Sequence, residues 1–149
     1  MPARTATATA APTAASIPAA TPTTPAQSLS PTPTTGTCTN AMKYLGDVNY
    51  PDGSKAAPGQ VIQKEWLVEN NGSCDWTAEY RVQLMDAFSA LGAESQQVLP
   101  LTRAGEQTTI SISFTLPLEY GNYTTAWQAY SPGGEPFGDP IYMLIEVGP

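Results

Sequence analysis

Residues 108–116 read TTISISFTL, and from Thr109 on hydroxyl and apolar side chains alternate without a break. Ile110, Ile112, Phe114 and Leu116 fall on one side, and Thr109, Ser111, Ser113 and Thr115 on the other. That period of two is the mark of a strand with one buried face and one in water. The same alternation recurs in IYMLIEV (141–147), where Ile141, Met143, Ile145 and Val147 share a side. In VIQKEWLVEN (61–70), Ile62, Trp66 and Val68 share a side with Lys64 among them. Further strands are predicted over 42–50, 80–88, 96–101 and 122–130. Stretches rich in Gly, Pro, Asn and Ser (YPDGS, APGQ, NNGS, RAGEQ, LEYGN, SPGGEPFG) separate the strands as turns.

Short strands, a turn about every 8–12 residues and no strand–helix alternation predict an all-β fold. The specific expectation is an immunoglobulin-like antiparallel β-sandwich of about seven strands. The one stretch with some helical character, residues 85–96, reads as an irregular loop or edge strand. Tyr123 follows a Gly-containing corner and opens the strand that carries Trp127, which is how a tyrosine corner sits at the start of a sandwich strand.

The strands begin only after residue 37. Of residues 1–37, 28 are Ala, Thr or Pro, with Arg4 as the one charge and Ile17 and Leu29 as the one Ile and one Leu. Too little apolar surface is available there to offset the entropy of ordering, so a disordered tether is expected over 1–37 and a single domain over 38–149. The latter holds five basic and thirteen acidic residues, a formal charge of −8. That balance argues against nucleic acid and against an anionic membrane surface. No apolar run is long enough to span a bilayer, and no complete signal peptide follows Met1. A Pro/Thr stalk suits an extracellular or cell-surface protein, with Met1 internal to a longer product; a cytoplasmic setting follows if Met1 is the true start.

The chain has two cysteines and no histidine. Cys38 stands where the first strand begins and Cys74 in the turn after EWLVEN. The favoured reading is a disulfide that pins the first strand to that turn, and a pair of free thiols is the alternative. A zinc site lacks two further ligands, and a catalytic thiol or serine lacks its imidazole base. Asp47 and Asp52 in DVNYPDGS are too few oxygens for calcium, and there is no phosphate-cradling loop. The chain is therefore read as non-catalytic, with no cofactor and no metal.

The segment GDVNYPDGSKAAPGQVIQKEWLVENNGSCDWTAEYRV, together with YGNYTTAWQ and FG (137–138), resembles the FW, or four-tryptophan, domain of selective-autophagy cargo receptors and of bacterial surface proteins. PDGS (51–54) then APGQ (57–60) matches its opening. KEWLVENNGSCDW matches its Trp, Asn-x-Gly, Trp pattern. Trp66, Trp76 and Trp127 fill three of the four tryptophan positions, and Tyr142 stands at the fourth. The resemblance covers 38–149. It implies an immunoglobulin-like binding module, and the paired cysteines behind a Pro/Thr stretch place it nearer the bacterial surface members.

From this a tethered module that recognises a protein or peptide at the cell surface is expected. Strand addition at an edge would leave no mark in the sequence. A carbohydrate- or cell-wall-binding module and a passive spacer are the competing readings. Trp66 and Trp127 read as core anchors; Trp76, beside a turn, is balanced between core and ligand contact. Tyr50, Trp76, Tyr130 and Phe137 are the candidate ligand contacts. Two or more of them lining one open face would favour a glycan.

Overall fold

The computed structural model describes residues 37–149, so the expected tether lies outside the described residues but for Thr37. Eight strands follow in chain order: β1 (Lys43–Asp47), β2 (Ser54–Ala56), β3 (Val61–Glu69), β4 (Arg81–Leu84), β5 (Gln96–Val98), β6 (Gln107–Thr115), β7 (Gly121–Tyr130) and β8 (Pro136–Val147). They form two sheets, β1-β3-β6 and β2-β8-β7-β4-β5. The all-β immunoglobulin-like sandwich is as expected. The eighth strand is β2, three residues long and parallel to β8, where the sequence shows only a turn.

Alternation explains which residues meet between the sheets. β3 buries Ile62, Lys64, Trp66 and Val68; β6 buries Ile110, Ile112 and Phe114; β8 buries Ile141, Met143, Ile145 and Val147. Phe114 bridges the layers, with its ring centroid 6.4 Å from Trp66 and 6.0 Å from Trp127. The Tyr123 hydroxyl donates to the Glu119 carbonyl at 2.9 Å and closes the tyrosine corner.

Four predicted strands are shorter or longer than their pattern, and the 96–101 strand ends already at Val98, ahead of Pro100. The 42–50 strand ends at Asp47, after a register shift near Leu45 and before Tyr50, which takes a positive φ of 44°. The 80–88 strand stops at Leu84 because Ala87 and Leu91 adopt positive φ in the turns that follow. The last strand starts five residues early, at Pro136, by way of Gly138.

Cys38 and Cys74 are disulfide-bonded, 36 residues apart in sequence. The bridge sits in a wider join: the amides of Ser73 and Cys74 both donate to the Thr39 carbonyl, and the Thr39 amide donates to Ser73 Oγ. A Cβ on Gly72 would collide with the Thr39 carbonyl and lie 2.8 Å from the Ala41 amide nitrogen, which is why glycine stands in NNGSC. Replacing both cysteines by serine is expected to lower the unfolding free energy by up to about 4 kcal/mol, the loop-entropy value for a closure of this length. Urea unfolding of the oxidised chain against the double variant measures it, and a reducing buffer acting on the native chain reproduces the loss.

Candidate functional site

The expected ligand contacts do not converge. Trp76 is 2% exposed and packs in the core against Phe137, with ring centroids 6.2 Å apart. Phe137 in turn meets Tyr80 edge-on at 5.8 Å. Trp76 is therefore buried in the core rather than open to a ligand, and its backbone pairs with that of Thr102. Its Nε1 has no hydrogen-bond partner among the described residues. Tyr50 and Phe137 are half-buried and pack against the core. Tyr130 pairs with Arg81 next to the buried Val82–Ala129 pair, so alternation puts it on the outer face of its sheet. Tyr50 lies past the far end of β1 from the cysteine join. No open aromatic face forms from these four, and the observation that would have favoured a glycan is missing.

The other indoles are held from within. Trp66 Nε1 donates to the Tyr142 carbonyl at 2.7 Å, and Trp127 Nε1 to Thr125 Oγ1 at 2.9 Å. Tyr142, at the fourth tryptophan position, faces outward and is 45% exposed. Asp47, weighed above as an oxygen donor, is instead ion-paired with the buried Lys64 at 2.7 Å.

What the fold does present is a set of sheet edges, and they differ in how they are guarded. β2 and β5 are three residues each. β1 carries a register shift, and Asp139 lies along its start: the Asp139 amide donates to the Met42 carbonyl, and its carboxylate accepts from the Tyr44 amide. β6 has none of these protections. It is nine residues long, with no charge, proline or glycine, and it pairs with β3 in unbroken register. Such an edge is a template for a further strand.

The direction of its free groups follows from β3. Glu65 accepts from the Val48 amide and donates to Asn49 Oδ1, so its peptide groups point away from β6. Opposite it in the ladder stands Ser111, whose own amide and carbonyl must then point to the open side. Thr109 and Ser113, two residues either way, do the same. Thr115 confirms the phase, since its amide donates outward to the Leu91 carbonyl at 2.8 Å and marks where the open run stops. Among the described residues the outward backbone groups of Thr109, Ser111 and Ser113 have no partner.

Sequence alone marked 108–116 as a strand but could not mark it as an edge, because neighbour order is decided by how distant segments pair. The absence of charge and proline in 107–115 was the one available sign.

A family model, the Ig-like domain from next to BRCA1 gene, matches residues 49–147. The human Next to BRCA1 gene 1 protein is 33% identical over 118 residues, covering 75% of this chain and 12% of that protein. Protein JOKA2 of Solanum tuberosum is 30% identical over 115 residues, covering 70% of this chain and 12% of its own length. The Arabidopsis thaliana Protein NBR1 homolog is 26% identical over 108 residues, 70% of this chain and 15% of that protein. The chain thus spans only a small part of the curated relatives it matches. These relatives are animal and plant proteins of the autophagy-receptor kind, which are cytoplasmic. They overturn the extracellular or cell-surface setting expected from the Pro/Thr stretch.

Proposed function

The chain belongs to the family of the Ig-like domain from next to BRCA1 gene, a non-enzymatic immunoglobulin-like domain, and on that premise we propose that it recognises a protein partner by taking up an extended segment along β6. The observation that carries this reading is the unguarded edge: backbone groups of Thr109, Ser111 and Ser113 open to solvent on a strand without charge, proline or bulge. Main-chain pairing supplies affinity in this mode, and flanking side chains supply selectivity. Here those are the exposed hydroxyls of Ser111 and Ser113 beside Gln63, whose amide already reaches Ser111 Oγ at 2.7 Å. A tether over 1–37 carrying a domain over 38–149 belongs to the same proposal. So does kinship with the bacterial members, which rests on the cysteine pair and the Pro/Thr stretch.

Selection of binders from a displayed library of extended peptides on the full chain tests the reading. The selected peptide is expected to slow amide hydrogen exchange at Thr109, Ser111 and Ser113, which have no partner among the described residues. Ser111→Pro removes one outward amide and leaves the ladder to β3 intact, since that amide takes no part in it. It is expected to weaken the peptide about tenfold or more, the worth of one well-made hydrogen bond and its alignment. A peptide that binds Ser111→Pro unchanged, or protects other amides, overturns strand addition at β6.

A further inference from the structure

A second surface feature lies on the opposite margin of the sandwich, where β1 of one sheet meets β8 of the other. Tyr44, Asp52, Pro140 and Tyr142 line a small open depression there. We propose that this notch receives the cationic side chain of a lysine or arginine on a protein partner, held between the two tyrosine rings and the Asp52 carboxylate.

Three of the four walls are fixed by bonds that do not involve the notch. The Trp66 indole holds the Tyr142 carbonyl from inside, so the Tyr142 ring is presented outward at a set position. The Tyr44 amide is held by the Asp139 carboxylate at 3.0 Å. Asp52 sits in the turn before β2, and the neighbouring Gly53 amide donates to the Leu144 carbonyl at 2.9 Å, which docks that turn onto β8. Pro140 contributes an apolar wall with no donor of its own.

The charges decide which ligand fits. Three carboxylates lie around this seam, and two are spent: Asp47 on Lys64 and Asp139 on the Tyr44 amide. Asp52 has no ion pair among the described residues and is exposed. Burial pushes the Tyr44 hydroxyl above its ordinary pKa, and the negative charges of Asp47 and Asp52 push it the same way. Asp52 thus leaves an unpaired negative charge beside the notch among the described residues, on a domain of formal charge −8. An anion is repelled by it, and a neutral apolar group leaves Asp52 unused. A cation gains both the carboxylate and the negative ring faces of two tyrosines. Tyrosine at the fourth tryptophan position keeps that ring face.

This rests on reading the domain as a protein-binding module but not on strand addition at β6, so the two fail separately. The test titrates the full chain with Nα-acetyl-lysine methylamide, Nα-acetyl-arginine methylamide and the uncharged Nα-acetyl-norleucine methylamide, following the amide resonances of Tyr44, Asp52 and Tyr142. Saturable shifts with a cationic probe and none with norleucine are expected. Asp52→Asn should weaken the cation about fivefold, Tyr142→Ala should abolish the shifts, and Tyr142→Phe should preserve them because the ring face is what acts. Peptides selected at β6 should bind Asp52→Asn as they bind the native chain. Equal shifts from norleucine, no shift from either cation, or full retention in Asp52→Asn overturns the proposal. So does a chito-oligosaccharide that shifts the same three residues when the cations do not.

Discussion

Lys64→Ala is expected to lower the unfolding free energy by about 3–5 kcal/mol, the range for removing one partner of a buried ion pair. The Lys64 side chain is fully buried, yet its ammonium group is saturated: Nζ donates to Asp47 Oδ1 at 2.7 Å, to the Asn49 carbonyl at 2.5 Å and to the Tyr50 carbonyl at 3.0 Å. It also lies 5.3 Å from the centroid of the Trp66 ring. Three protons meet three acceptors, so desolvation of the charge is offset only while the 47–50 segment keeps its course. That segment carries Tyr50 at positive φ and uses the Asn49 side chain to extend pairing with β3, donating to the Gln63 carbonyl and accepting from the Glu65 amide. Alanine leaves one carboxylate and two carbonyls without their donor, next to the cavity of the lost stem. Urea denaturation measures the loss. Lys64→Met restores most of the volume and none of the donors, so it should recover only a minor share. Recovery to near the native value would mean that the stem, not the ammonium, holds the loop.

Gly138→Ala should cost about 2–4 kcal/mol, from two sources that a control can separate. Gly138 has φ of 77°, a conformation that an L side chain adopts only with strain. Its added Cβ would also lie 2.6 Å from the Met42 Cβ, 2.8 Å from its nitrogen and 2.9 Å from its oxygen, so backbone must move. The contact being pushed apart joins the two sheets along one margin through the Asp139 amide on the Met42 carbonyl, while the Gln128 amide on the Phe137 and Gly138 carbonyls ties β7 to β8 within one sheet. Gly134 has φ of 87° with nothing within 4 Å of the added carbon. Gly134→Ala therefore measures the strain alone, about 1–2 kcal/mol. The excess in Gly138→Ala over Gly134→Ala, read from thermal or urea unfolding, is the price of the close approach. Equal losses would show that the margin yields freely.

Part of this architecture is legible residue by residue. The period of two placed Ile110, Ile112 and Phe114 on one buried face, and it put Lys64 on the buried side of its strand with Trp66. That works because a strand's side chains alternate whatever lies beside it, so local order suffices. The tyrosine corner was legible for a related reason, since it depends on turn chemistry a few residues wide, and the bridge between Cys38 and Cys74, 36 residues apart, because the chain has two cysteines and no histidine.

Pairing between distant segments was not legible. β2 reads as a turn because three residues, SKA, become a strand only when Ile145, Glu146 and Val147 come alongside. Trp76 stands beside a turn, where exposure and burial are equally compatible with its neighbours; packing against the distant Phe137 accompanies its burial. Tyr44 and Asp52 gave no sign of sharing a notch with Tyr142, nor residues 107–115 of being an open edge. The sequence by itself determined the strands, their inward faces and the absence of an imidazole for catalysis, because composition and alternation are local properties. Only the tertiary structure decided which sheet edges stay open and which carboxylates take a cation. Both depend on which partners, far off along the chain, have already been taken.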